Sequence, residues 1–135
     1  MVPSFTKYKT IREAAVLTTS YVTADEVLGE KSSPGGSIVA EHNQLHLYID
    51  FTLGSLTSSQ VKVEFSIDNE NWFQETTLSV SSGTQTVNLS EYEFTASGQY
   101  RVEIPIKDRY IRVSAKGTGT VTGSSMEIKA VTGNV

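Results

Sequence analysis

From Gln44 to Leu53 every second residue is apolar: Leu45, Leu47, Ile49, Phe51 and Leu53 alternate with Gln44, His46, Tyr48, Asp50 and Thr52. A period of two sends successive side chains to opposite faces of an extended chain. The segment therefore reads as a strand with one face in a core and one in solvent. After Gly54-Ser55 the pattern restarts, with Val61, Val63, Phe65 and Ile67 inward against Lys62, Glu64 and Ser66. It returns over Gln99 to Ile106, where Tyr100, Val102, Ile104 and Ile106 share a face. It returns again over Arg109 to Lys116 through Ile111, Val113 and Ala115, and over Thr120 to Val131 through Met126, Ile128 and Ala130. Shorter strands are expected over Thr76 to Val80 and Thr84 to Leu89, parted by Ser81-Ser82-Gly83. Pro105 has no backbone N–H for a ladder, which places its strand at an edge or a bulge.

No stretch sustains a helical period; Glu91 to Phe94 fits alternation as well as a single helical turn. About seven or eight short strands with turns between them predict an all-β fold, an antiparallel β-sandwich of jelly-roll or immunoglobulin-like type. Composition agrees, since 33 of the 135 residues are Ser or Thr and runs of helix formers are few. The expected core is Leu47, Ile49, Phe51, Val63, Phe65, Val102, Ile104, Ile111, Val113 and Ile128.

The first 43 residues carry a weaker pattern. Arg12 to Val22 holds one expected strand, with Ala15 and Leu17 inward, and Thr23 to Leu28 offers another. Gly29 to Ser37 reads as an exposed loop. Residues 1–11 show no core pattern and read as an N-terminal arm on a single β-sandwich domain of residues 12–135.

Fifteen acidic and eleven basic residues give a net charge of −4. That balance opposes nucleic-acid binding, which needs a basic face to neutralise phosphates. With no cysteine there is no disulfide framework, zinc–thiolate site or thiol nucleophile. The N-terminus lacks the apolar run of a signal peptide, and nothing approaches the roughly 18 apolar residues of a membrane helix. The expectation is a soluble chain that stays off membranes.

Candidate chemistry is sparse. His42 and His46 are four apart, which on a strand is roughly 13 Å, too far to share one zinc at bond lengths of about 2 Å. They read as exposed polar positions. Asp68-Asn69-Glu70-Asn71 is oxygen-rich but lacks the roughly twelve-residue frame and central Gly of a calcium loop, so it reads as a hairpin turn. Gly117 to Gly123 precedes no helix and so reads as a Gly/Thr turn rather than a phosphate loop. No Gly-x-Ser-x-Gly elbow frames any Ser. No metal, cofactor or catalytic residue is expected, and the chain is read as non-enzymatic.

Two groups remain as candidate contacts. Five of the eleven Lys and Arg residues lie between Arg101 and Lys116. On the strand from Arg109, Tyr110, Arg112 and Lys116 form an outward basic-aromatic stripe suited to an acidic partner. In the arm, Phe5, Tyr8 and Ile11 are costly to leave in water, and Lys7, Lys9 and Arg12 could meet acidic groups. The arm is therefore expected to dock on a neighbouring subunit, and its removal to leave the β domain folded. Trp72, the only Trp, reads as a core anchor, with an exposed sugar platform as the alternative.

Phe65-Ser66-Ile67-Asp68-Asn69-Glu70-Asn71-Trp72 resembles a hairpin common in small β-sandwich proteins of tailed bacteriophages, Phe-Ser-x-Asp-Gly-x-x-Trp, with Asn69 in place of Gly. The stretch from Tyr100 to Ser114, the Gly/Thr turn and the final strand are similar to the same group, so the resemblance spans roughly residues 33–131. It implies a structural virion protein made in the host cytoplasm, of capsid decoration (cement) type. Its partners would be the major capsid protein or other virion proteins, and further copies of itself. A tail or adaptor component is an alternative within the group, and a carbohydrate-binding module is the rival class that shares the sandwich shape.

Overall fold

A computed structural model describes residues 4–24, 42–106 and 108–134. Within them lie twelve strands and no helix. Strands β1 (Ser4–Phe5), β2 (Lys9–Ala15) and β3 (Val22–Thr23) are followed by the long pair β4 (Gln44–Thr52) and β5 (Leu56–Ser66). Next come β6 (Phe73–Gln74), β7 (Thr76–Ser81), β8 (Thr84–Leu89) and β9 (Tyr92–Phe94). The chain ends with β10 (Gly98–Pro105), β11 (Tyr110–Gly119) and β12 (Ser125–Asn134). The fold is all-β and antiparallel throughout, as the alternation predicts.

Two five-stranded sheets face each other. In sheet A, β12 lies between β1/β2 on one side and β4 on the other, with β10 beyond β4 at the edge. In sheet B, β11 and β5 are central, β3 flanks β11, and β6 and β9 flank β5. Setting aside the two-residue β1 and β6 and the separate β7–β8 hairpin, eight strands remain. The first pairs with the last (β2–β12), the second with the seventh (β3–β11), the third with the sixth (β4–β10) and the fourth with the fifth (β5–β9). This nesting is a long hairpin rolled on itself, closed by β12 against β4 and β11 against β5. Of the two expected sandwich types it selects the jelly roll.

One core fills the space between the sheets. Leu45, Leu47, Ile49, Phe51, Ile104, Met126, Ile128 and Ala130 come from sheet A, and Val61, Val63, Ile111, Val113 and Ala115 from sheet B. Eight of the ten expected core residues are buried; Phe65 and Val102 are half-buried at its margin. Ile67, expected inward, is exposed because β5 ends at Ser66 and the chain has already entered the turn. At one end of the sandwich the β4–β5 and β11–β12 turns touch backbone to backbone. Gly54 and Gly123 both have positive φ, and a Cβ on Gly54 would sit 2.4 Å from the Gly123 carbonyl carbon. Only glycine permits that approach.

Pro105 does lie on an edge strand, since among the described residues β10 pairs with β4 alone. The N-terminal expectation needs correcting. Residues 4–11 are not a free arm: β1 and β2 both pair with β12, and Ile11 is wholly buried in the core. Ala15, expected inward, is exposed, because the β2–β12 register shifts twice and resets the phase of the strand. The number of strands exceeds seven or eight by the short β1, β3, β6 and β9. The loop expected over Gly29 to Ser37 lies outside the described residues.

Candidate functional site

The two groups of expected contacts fall on opposite sheets. On sheet B, Tyr110 is half-buried, and the cations of the stripe are engaged within the chain. The Arg112 Nε donates to Glu64 Oε1 at 3.0 Å, and its guanidinium lies 4.6 Å from the centre of the Trp72 ring. Lys116 and Lys62 both lie against Tyr21, at 4.9 and 4.5 Å from its ring centre. The Tyr21 hydroxyl donates to Glu91, and burial together with that carboxylate raises its pKa. Trp72 is thus a half-buried ring with a cation on one face, neither deep core nor open platform.

The N-terminal group disperses. Ile11 is core, and Arg12 holds its own strand, its Nε donating to the Met126 carbonyl and its Nη2 to those of Ala15 and Val16. These three bonds bridge the irregular stretch of β2, so Arg12 is a structural cation rather than a contact for an acidic partner. Lys9 is half-buried at the start of β2 and Lys7 is exposed. Phe5 lies against His46 with the rings tilted by 36° and 5.2 Å between their centres. Tyr8, 64% exposed, has the Lys129 ammonium 5.0 Å from its ring centre.

Neither histidine is the exposed position expected. His42 Nδ1 lies 2.8 Å from the Thr132 hydroxyl in a half-buried position. His46 is buried under Phe5 rather than exposed. Burial, and then the Arg101 guanidinium, hold the imidazole below its ordinary pKa, with Glu103 opposing them. Among the described residues no cluster of three or more His, Asp or Glu is placed to hold a metal.

Three strands build a cleft of about 540 Å³ on the outer face of sheet A. The register sets its floor in rungs. Gln99, Asp50 and Glu127 stand side by side across β10, β4 and β12, and the next rung is Arg101, Tyr48 and Lys129. Tyr8, carried by the β1–β2 connection, forms a wall. Lys129 and Glu127 pair at 3.6 Å, and Arg101 pairs with Glu103 at 2.7 Å while its Nε donates to the Tyr48 hydroxyl at 3.3 Å. Sequence alternation marks Tyr48 and Asp50 as outward but cannot say which strands adjoin β4, so the cleft itself is not legible there.

The third surface is the β7–β8 hairpin. Its register puts Leu78 opposite Val87, Thr76 opposite Leu89 and Val80 opposite Gln85, all on one face. The other face is Thr77, Ser79, Ser81, Thr84, Thr86 and Asn88. Leu78, Val80, Val87 and Leu89 are 61–69% exposed, so among the described residues nothing covers the apolar face. Among the described residues the two strands pair only with each other, and residues 76–89 contain no charged side chain. Alternation of aliphatic residues with Ser and Thr over a charge-free stretch was the available sequence signal.

Comparison with protein-family models, with curated proteins and with solved structures gives no match.

Proposed function

We propose that this chain is a non-enzymatic structural protein of a tailed-bacteriophage virion, a capsid decoration protein that assembles with copies of itself on the shell. The observation that carries the reading is the uncovered apolar face of the β7–β8 hairpin. Unpaired, uncharged strand edges invite association, and monomeric proteins blunt them with Lys, Pro or bulges. None of those devices occurs in residues 76–89. Four aliphatic side chains left about two-thirds in water forgo much of the roughly 1.5–3 kcal/mol that each gains on burial.

The occupant that fits is the same face of a second copy. A charge-free ribbon offers no charge pattern for an unlike partner to complement, whereas an antiparallel hairpin can meet its own image across a two-fold axis. Exposed Phe73 adds an apolar side chain at the hairpin's root, beside a hollow of about 280 Å³ whose lining mixes Phe65, Phe73 and Pro105 with Gln74, Glu75, Thr76 and Asp108. The phage-like stretches Phe65 to Trp72 and Tyr100 to Ser114 supply the virion context, and the rolled, cysteine-free sandwich is suited to a scaffold that holds assembly surfaces rigid.

Light scattering with size-exclusion chromatography tests the self-association. The wild type should be an oligomer, and a Leu78→Lys/Val87→Lys double variant should be monomeric with its melting temperature within a few degrees of wild type. A wild type that is monomeric at all concentrations overturns the contact. Mass spectrometry of purified virions should find the chain in many copies, and its absence from the particle would overturn the virion assignment.

A further inference from the structure

We infer that the cleft on the outer face of sheet A binds a neutral glycan, with Tyr48 and Tyr8 as stacking surfaces and Asp50 and Gln99 as hydroxyl partners. A pyranose ring presents an apolar C–H face and a rim of hydroxyl groups. A site for it needs an exposed aromatic ring beside planar groups that accept and donate in pairs. Tyr48, 40% exposed, and Tyr8 supply the rings from the floor and the wall of the same cleft. Asp50 and Gln99 are directly opposed on adjacent strands one rung away. An Asp accepts from two hydroxyls, and a Gln amide both donates and accepts, which matches neighbouring hydroxyls on a ring.

The charges decide the class of ligand. Both cations of the cleft already have anionic partners: Lys129 pairs with Glu127, and Arg101 with Glu103. Asp50 is exposed and makes neither a hydrogen bond nor an ion pair within the described residues. An anionic ligand would therefore meet an uncompensated carboxylate before it met a free cation, while a neutral hydroxyl meets an acceptor. A linear peptide is served less well. Most of the floor is the middle of the sheet, where β12 and β4 have spent their backbone groups on their neighbours, and only the outer edge of β10 has backbone groups to offer an extended chain. The cleft and the hairpin belong to different sheets, so this inference stands or falls apart from the assembly contact.

The test is NMR titration of the full chain with neutral oligosaccharides built on glucose, galactose, mannose or N-acetylglucosamine, alongside an oligogalacturonate and an extended polar peptide. At least one neutral saccharide should give saturable shifts centred on the amides of Tyr48, Asp50 and Gln99. Tyr48→Ala should weaken that binding about tenfold or more without changing the melting temperature. Asp50→Asn should weaken it too, and Trp72→Phe, in the β5–β6 turn of the other sheet, should leave it unchanged. The inference is overturned if no neutral saccharide binds or if the shifts lie outside the cleft. It is equally overturned if the anionic sugar or the peptide is the one that binds, or if Tyr48→Ala binds as wild type does.

Discussion

Asn69 shows how one residue can satisfy a backbone requirement written for another. It stands where the phage-like hairpin pattern has Gly, and it adopts φ of 60°. Asn tolerates that left-handed conformation better than most residues. Around it Asp68 organises the turn: Oδ1 accepts from the Ser66 hydroxyl and from the amides of Glu70 and Asn71, and Oδ2 accepts from the Asn71 side chain. Those bonds, the Asn71 amide first, hold the Asp68 carboxyl well below the usual carboxylate range. Asn69→Gly should leave stability nearly unchanged in urea denaturation, whereas Asn69→Val should cost about 1–2 kcal/mol. His46 gives a pH dependence of definite sign. Its folded pKa lies below the ordinary value of about 6.5, so at mildly acid pH the unfolded chain binds more protons than the folded one. Stability should therefore be fully present above that value and fall as pH drops below it. Melting curves between pH 7.5 and 5.5 should show the decline, and His46→Gln should flatten it.

Among the elements, β2 carries the sharpest revision. Its first residues belong to the core sheet, so Ile11→Ala should cost about 2–5 kcal/mol by chemical denaturation. Removing residues 1–11 should lower the melting temperature rather than merely loosen an attachment. The reason this strand was obscure is physical. Period-two reading assumes one phase per strand, and the two register shifts against β12 break that phase between Thr10 and Ala15. Strands of two or three residues, such as β3 or β6, contain too little chain to show any period. By contrast β4, β10, β11 and β12 keep one phase over most of their length, and their buried faces were readable from the alternation; β5 is covered on both faces, so Glu64 and Ser66, expected outward, are buried as well as Val61 and Val63. For the β7–β8 hairpin the strands and turn were readable, but periodicity reports that a face is apolar and says nothing of what lies over it. The cleft needed knowledge of pairing order: Asp50 meets Gln99 and Glu127 only because β4 lies between β10 and β12.

At the scale of the whole molecule, the rolled order of strands has a consequence for how the chain is made. In sheet A the strand between β2 and β4 is β12, the last of the twelve. During synthesis at about 5–20 residues per second, β2 and β4 leave the ribosome seconds before the strand that joins them exists. Sheet B waits in the same way for β11 to lie beside β5. The β7–β8 hairpin, which pairs with nothing beyond itself among the described residues, can close as soon as it emerges, as can the short β5–β6 pair before it. A growing chain therefore displays its apolar ribbon before it has a core. Under the self-association proposed above, copies on neighbouring ribosomes of one message would meet through that ribbon first, on the polysome and ahead of folding.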